Sequence, residues 1–336
     1  MEKTSKRTTI YDLAKIADAS PSAVSSVLNG TWEKRRISQK LAKRVMRLAE
    51  EQGYTVNVQA SLLRRERSNI IGMIVPKYGN RYFGEIAEQF EAMARGKGFF
   101  PVVTCTQRDP ELEFEAAKEL ISYQAECLIS TGATDPDRIS AICVASGVQS
   151  INLDLPGKDA PSVISDNYSA ARDLTKLILD RCEKDLDWSG PLRFVGGRLA
   201  DHNTAARLDG FVSAHNERSI SVPDSYIMAT GYSAEKAAAT LSTFKPDGPT
   251  GLFVNSTISL EGVVRWHSEL AQGADQIRYG CFDWDPFGSF LPGNVGMVEQ
   301  DVTTMLIKVF ELFGKPSTST QPILVPCKLR AFHPDV

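Results

Sequence analysis

The sequence predicts an α/β protein in which a small helix-turn-helix head precedes a two-lobed body of doubly wound parallel sheets. Three observations point there. Residues 9–53 show three short helical periods broken by turn residues. From Asn69 onward, short β-branched runs alternate with amphipathic helical stretches, the pattern of βαβ units. These runs are too many for one such sheet, so two similar subdomains are expected. A chain of 336 residues also exceeds one compact core.

In the head, Thr9-Ile10-Tyr11-Asp12 reads as a helix start, with Thr9 as cap and Asp12 in the favourable first turn. Ile10, Leu13, Ala14 and Ala17 then share one face. Ser20-Pro21 restarts a helix, a capping hydroxyl followed by a residue whose fixed φ suits the first turn. This second helix runs to about Leu28 and buries Val24, Val27 and Leu28, leaving Ser22, Ser25, Ser26 and Asn29 outward. A third follows Ser38, with Leu41, Val45 and Leu48 inward, and stops at Gly53. Two short helices across a tight turn make a helix-turn-helix, though generic three-helix packing uses the same periods.

Charge separates these alternatives. Residues 1–67 hold fourteen Lys and Arg against seven Asp and Glu, so a net −3 chain joins a +7 head to a −10 body. A basic module on an acidic body is the footprint of polyanion binding. The composition, 42% hydrophobic and 24% charged, is that of an ordinary globular protein. No apolar run approaches the roughly 20 residues that span a bilayer, and Met1 to Ile10 contains no apolar signal core. A cytoplasmic location without membrane contact is expected. The six cysteines show no metal spacing and sit in apolar settings, which predicts reduced, buried thiols.

In the body, strands are expected over 70–75, 100–104, 127–130, 150–153, 192–196, 226–229, 251–255 and 278–282. Helices are expected over 85–94, 112–122, 170–179 and 259–270, with the break between lobes near 154–166. Ligands in such folds bind at the carboxyl ends of strands. No nucleophile elbow, P-loop or zinc-binding helix stands there, so neither enzyme nor cofactor is indicated. Gly196-Gly197 is a strand-to-helix turn, and the four histidines, without metal spacing, are expected on surfaces. The strand ends do carry Asp154, Asn255 and Asp283, and a helix after one of them carries Arg207. Each alone is more simply a cap or an ion pair.

Together the residues resemble one family. Thr9-Ile10-Tyr11-Asp12-Leu13-Ala14, Ala17, Ser20, Val24-Ser25-Ser26-Val27-Leu28-Asn29-Gly30 and Gly53-Tyr54-Thr55-Val56-Asn57, followed by Ala60-Ser61-Leu62-Leu63-Arg64, resemble the headpiece of the lactose-repressor family. The long stretch from Asn29 to Arg36-Ile37-Ser38 is similar to the fructose- and sucrose-responsive branch. The resemblance implies a headpiece over 1–56, a hinge helix and linker over 57–68, and a periplasmic-binding-protein-like effector and dimerisation domain over 69–336. Its lobes would be about 69–165 plus 299–325, and about 166–298. It implies that Thr9 belongs to the surface that binds double-stranded operator DNA, that Tyr11, Ser20, Ser25 and Asn29 lie near its phosphates, and that Pro21, Ser22 and Ser26 lie near base edges. Asn57, Ala60, Leu63 and Arg64 would form the hinge, with Leu63 as an apolar wedge in the minor groove. Three departures bear on this. Asp18 replaces the turn glycine and so must take a left-handed conformation, Val56 replaces the proline before the hinge, and Ser26 replaces a long base-reading side chain.

For the body, the same resemblance implies an effector pocket. Asn80-Arg81-Tyr82-Phe83 match its first-lobe loop, Tyr232 its second-lobe aromatic, and Asp283-Trp284 its aspartate loop, joining Asp154, Arg207 and Asn255. Carboxylates accept hydroxyl protons, Arg and Asn satisfy ring oxygens, and aromatic rings cover a sugar face, so the mix suits a polyol. Lys77, Arg81 and Arg198 could add a phosphate-binding corner, with solvated charge the simpler account of each. The expectation is a regulator of carbohydrate-use genes, repressor or activator, controlled by a sugar or sugar phosphate, with fructose-type ligands first. The residues after Lys328 lack apolar heptads, which predicts a homodimer rather than a tail-built tetramer. The other readings, a transporter's solute-binding protein and a sugar-metabolising enzyme, lack an export signal and a catalytic constellation respectively.

Overall fold

The computed structural model describes residues 8–54, 68–244, 246, 248–270, 273–315 and 321–332. The hinge candidates Asn57, Ala60, Leu63 and Arg64, together with Val56 and the last four residues, lie outside the described residues. The chain divides into two compact units, Met1–Ser68 and Asn69–Val336.

The first unit holds α1 (Ile10–Ile16), α2 (Pro21–Leu28) and α3 (Gln39–Glu51). Thr9 and Asp12 close a reciprocal capping box: Asp12 N–H donates to Thr9 Oγ1 at 3.2 Å and Thr9 N–H to Asp12 Oδ2 at 2.9 Å. Asp18 takes φ +47, the left-handed turn expected of it, and lets the chain reverse into the Ser20 cap. Ala23 N–H donates to Ser20 Oγ at 3.1 Å and Pro21 opens the helix. Leu13, Ala14, Ala17, Val24, Val27, Ala42, Val45 and Ala49 form the core, with Leu28, Leu41 and Leu48 packed at its edge. Small residues dominate because three short helices must approach closely at this scale.

The second unit contains two six-stranded sheets. β1 (Ile70–Val75), β2 (Phe100–Cys105), β3 (Cys127–Thr131), β4 (Gln149–Leu153) and β5 (Ser162–Ser165) form the first with β11 (Ile323–Val325), in the order β11-β5-β4-β3-β1-β2, all parallel. β6 (Arg193–Val195), β7 (Ile227–Met228), β8 (Thr250–Val254), β9 (Ile277–Phe282) and β10 (Asn294–Glu299) form the second with β12 (Lys328–Ala331), in the order β12-β10-β9-β8-β6-β7. Its edge strand β12 is antiparallel to β10.

The first lobe's helices are α4 (Arg81–Gly96), α5 (Pro110–Ser122), α6 (Pro136–Ala145) and α11 (Val302–Leu312). α7 (Asn167–Leu186), α8 (His202–Asn216), α9 (Ala234–Ser242) and α10 (Thr257–Ser268) cover the second. Continuous apolar strands such as Ile70–Val75 are buried by helices on both faces, as parallel sheets require. In the second lobe Phe194 stacks on Phe253 at 5.1 Å, with Phe211 edge-on to both.

Three crossovers join the lobes, between β5 and α7, between β10 and α11, and between β11 and β12. They are hydrogen-bonded to each other: Asp166 N–H donates to Val325 O at 2.8 Å, and Ser165 Oγ donates to Gln300 Oε1 at 2.6 Å. Sequence periodicity did not reveal β5, β10, β11 and β12. None of the four follows a clear helical period, and β5 falls inside the stretch expected to separate the lobes. α7 is also twice the expected length, its ends being polar and its apolar stripe confined to the middle.

One expectation about the histidines is corrected. His215 is wholly buried in the second lobe, where its Nε2 accepts the Leu192 N–H at 3.0 Å and its Nδ1 contacts Phe211 O at 2.8 Å. Its two polar atoms satisfy backbone groups at a helix end and a strand start, which makes a buried imidazole tolerable. Four cysteines are buried and two partly so, all as free thiols; burial pushes the thiols of Cys143 and Cys182 up to about 11 and about 12.

Candidate functional site

Two surfaces collect the singled-out residues. On the head, α2 turns Pro21, Ser22 and Asn29 outward, with Ser25 and Ser26 half-buried beside them; Tyr11 on α1 is 72% exposed. Thr9 is committed to capping α1, its hydroxyl donating to Asp12 Oδ2 at 2.6 Å. Ser26 Oγ donates back to Ser22 O at 2.8 Å, and Asn29 Nδ2 donates to Ser25 O at 2.8 Å. The short side chains of α2 are thus folded onto their own helix. A flat, close-fitting polar ridge results, with little reach toward base edges. Sequence reasoning passed over Lys34, Arg35 and Arg36, which stand exposed in the turn between α2 and α3. Backbone bonds from Arg35 N–H to Thr31 O and from Ile37 N–H to Trp32 O hold that turn, and Arg36 adopts φ +56. The longer stretch between Asn29 and Ser38 was the available signal.

In the body, a cavity of about 320 Å³ opens between the lobes at the carboxyl ends of both sheets. Asp154 follows β4 and Asp283 follows β9, equivalent strands by sheet order, so the two lobes contribute one carboxylate each from matching positions. Both residues lie in the left-handed region, at φ +73 and +70, which Asp tolerates better than most side chains. Tyr82 Oη and Asn203 Nδ2 donate to Asp154 Oδ1 at 3.1 and 3.2 Å. Gln300 Nε2, from a crossover, donates to Asp283 Oδ1 at 2.6 Å. Among the described residues no protein donor reaches the second oxygen of either carboxylate.

Arg207 stands between them, only 3% exposed. Its Nε donates to Asn167 Oδ1 at 2.8 Å, its Nη1 to Asn255 O at 2.7 Å, and its guanidinium lies 3.6 Å from the Phe282 ring centroid. Burial pushes the carboxyls of Asp154 and Asp283 above the usual range, against the pull of the Arg108 and Arg207 guanidiniums. Burial, then the nearby Asp154, holds the Tyr82 phenol well above 10, so it stays a donor. Tyr232, whose hydroxyl lies 3.1 Å from Thr204 Oγ1, and Phe83 supply aromatic walls.

Asn80, Tyr82, Phe83, Asp154, Arg207, Tyr232 and Asp283 therefore line one cavity. Arg81, Asn255 and Trp284 are not among the residues that line it. Arg81, at the start of α4, pairs with Asp285 of the other lobe at 3.0 Å. Asn255 gives its backbone carbonyl to Arg207 and its Nδ2 to Thr204, so it braces the site from behind. Trp284 packs on the second lobe's core. Each sits next to a lining element, and sequence proximity could not tell which way its side chain turns. Lys77 and Arg198, exposed as expected, also line the cavity mouth. Gln107, Arg108, Asn203, Lys236 and Gln300 were missed; they come from a loop, the first turns of α8 and α9 and a crossover, whose convergence depends on the tertiary fold.

Known proteins share this arrangement. Residues 9–57 match the family profile for bacterial regulatory proteins of the lacI family, and residues 71–288 match that of a periplasmic binding protein domain. The ribitol operon repressor of Klebsiella aerogenes is 57% identical over 195 residues, covering 58% of this chain and 72% of its own. The sucrose operon repressor of Klebsiella pneumoniae is 26% identical over 338 residues, covering 98% and 99%. Among solved structures, the lac repressor dimer bound to operator and the anti-inducer ONPF superposes with a TM-score of 0.76 at 22% identity, over 97% of this chain and 98% of that one. The chain belongs to the lacI family of bacterial regulatory proteins and is a DNA-binding transcription regulator.

Proposed function

We propose that the chain is a cytoplasmic, homodimeric repressor of a carbohydrate-use operon, whose hold on double-stranded operator DNA is set by a polyhydroxylated effector bound between the lobes. The matched pair Asp154 and Asp283, each with one oxygen free and with buried Arg207 between them, carries this reading. Two carboxylates accept hydroxyl protons from opposite sides of a small ligand, Asn203 and Gln300 hold them in place, and Tyr82, Phe83 and Tyr232 cover its carbon face. A site built to pair hydroxyls rejects analogues lacking them, since its own buried groups would be left unpaired. The cavity, about 320 Å³, falls at the small end of the ~300–1,000 Å³ of small-molecule sites. An acyclic pentitol such as ribitol is therefore the first ligand to test, on the 57% identity to the ribitol operon repressor; fructose-type ligands come next.

Because three crossovers connect the lobes, a ligand touching both sides biases their closure, and DNA and effector act on one two-state equilibrium with reciprocal coupling. On the head, Pro21, Ser22 and Ser26 face base edges while Tyr11, Ser20, Ser25 and Asn29 face phosphates. Thr9 contributes by fixing the start of α1, and Asn57, Ala60, Leu63 and Arg64 serve as the minor-groove hinge. With two heads on a two-fold dimer the operator is palindromic. Gel shift on promoter duplexes, repeated with ribitol and fructose, tests the proposal. A specific shift altered by one of them supports it, whereas a specific shift that no polyol changes rejects the effector assignment.

A further inference from the structure

The cavity holds a cation with no acceptor of its own. Arg108, half-buried on the loop between β2 and α5, lies 5.8 Å from the Phe83 ring centroid in the first lobe and 5.2 Å from that of Tyr232 in the second. Among the described residues its guanidinium makes no hydrogen bond and no ion pair within 4.0 Å, acting on Asp154, Asp283 and Glu113 only through its field. Five N–H donors in a planar fork thus face the cleft unused. Gln107 and Arg108 both adopt left-handed φ, +55 and +59, and Thr134 Oγ1 donates to Arg108 O at 3.4 Å, so the backbone is held in an uncommon conformation that presents this side chain.

The charge balance points the same way. Five cations line the cavity, Lys77, Arg108, Arg198, Arg207 and Lys236, against the two carboxylates Asp154 and Asp283. Two rim carboxylates offset part of this: Asp201 pairs with Arg198 at 3.0 Å, and Glu235 lies within the field of Lys77. Glu113 lies within the field of Arg108. Apart from Arg207 with Asp154 and Asp283 on the floor, Lys77, Arg108, Arg198 and Lys236 therefore stand against Asp201, Glu235 and Glu113, an excess of one positive charge at the mouth. Arg198 also flanks the Tyr232 ring, 5.9 Å from its centroid, on which Arg108 already lies.

We infer that the effector is an anionic polyol, whose hydroxyls meet Asp154 and Asp283 on the cavity floor and whose phosphate or carboxylate is gripped by Arg108, with Arg198 and Lys236, at the mouth. This rests on the polyol reading above and adds the charge of the ligand. A guanidinium fork suits either oxyanion, since both accept two parallel N–H bonds.

Isothermal titration of the full chain with ribitol, ribitol 5-phosphate and ribonate tests it. At least one of the two anions binds on the order of tenfold or more tighter than ribitol, a charge-assisted bond exceeding a neutral one. Whichever anion shows the advantage identifies the group. In Arg108→Gln the ratio between ribitol and anion affinities falls toward one, and Lys236→Gln, on the exposed start of α9, lowers it partly should the first variant fail to fold. Ribitol binding as tightly as both anions overturns the inference while leaving the polyol reading intact. If none of the three binds, the polyol reading itself falls.

Discussion

Replacing Arg207 with alanine removes the side chain that ties the effector cleft together. Its guanidinium donates at 2.8 Å to Asn167 Oδ1 and at 2.7 Å to Asn255 O, and offsets two buried carboxylates. Each acceptor left unpaired costs about 1–3 kcal/mol, and breaking a buried charge network by removing one partner costs about 3–5 kcal/mol overall. At roughly 2–4 °C per kcal/mol for a large domain, the body of Arg207→Ala melts roughly 6–20 °C below the parent. The ligand response goes with it. A polyol at a hundred times its Kd adds about 2.7 kcal/mol to the parent, roughly 5–11 °C on the same conversion, and adds little to the variant. Arg207→Lys keeps the charge but not the fork and falls between the two. Scanning calorimetry of parent and variants, with and without polyol, reads both effects. A variant melting within a degree or two of the parent and shifting equally with polyol would refute both the bracing role and the site.

Leu13→Ala empties a fully buried position in the small core of the head at a cost of about 2–5 kcal/mol; gel shifts lose operator binding while the polyol-induced thermal shift persists, and retained operator affinity would contradict the core assignment. Gly197→Ala drives a Cβ into Asn255 Nδ2 and Thr204 at φ +79, adding about 1–3 kcal/mol of overpacking to the left-handed penalty; it lowers the melting temperature and weakens polyol binding, since Asn255 and Thr204 brace the cleft. Burial holds the His215 pKa below its ordinary 6.5, so the unfolded chain takes up a proton that the folded one refuses. Stability is therefore lost as pH falls below about 6.5, a slope that chemical denaturation at stepped pH shows shrinking in His215→Phe. Alanine at Lys34, Arg35 and Arg36 lowers the salt slope of DNA binding by about 0.9 for each phosphate no longer neutralised, equally on operator and unrelated DNA; an unchanged slope places the turn away from the backbone.

The head was legible in the sequence nearly residue by residue, because its signals are local. A capping box needs only Thr9 and Asp12, a proline start only Ser20 and Pro21, and the left-handed turn only Asp18. The strands β1, β3 and β8 were equally readable, since strands covered on both faces must be continuously apolar. Asp154, Arg207 and Asp283 could be singled out as cavity-lining residues because strand ends are where such sheets bind ligands. What lies beyond local spacing was decided by the tertiary fold. The return strands β10, β11 and β12 gain their places only by pairing with strands distant in sequence. Which of Arg81, Asn255 and Trp284 would turn into the cleft depended on competing partners, Asp285, Arg207 with Thr204, and the second lobe's core. Arg108, Asn203 and Gln300 reach the cavity from a loop, the first turn of α8 and a crossover, and no spacing along the chain encodes that convergence. The sequence alone determined the modules and their chemistry through local hydrogen bonds and periodic burial. Only packing between distant segments determined which side chains share one small volume, because that depends on the sum of long-range interactions.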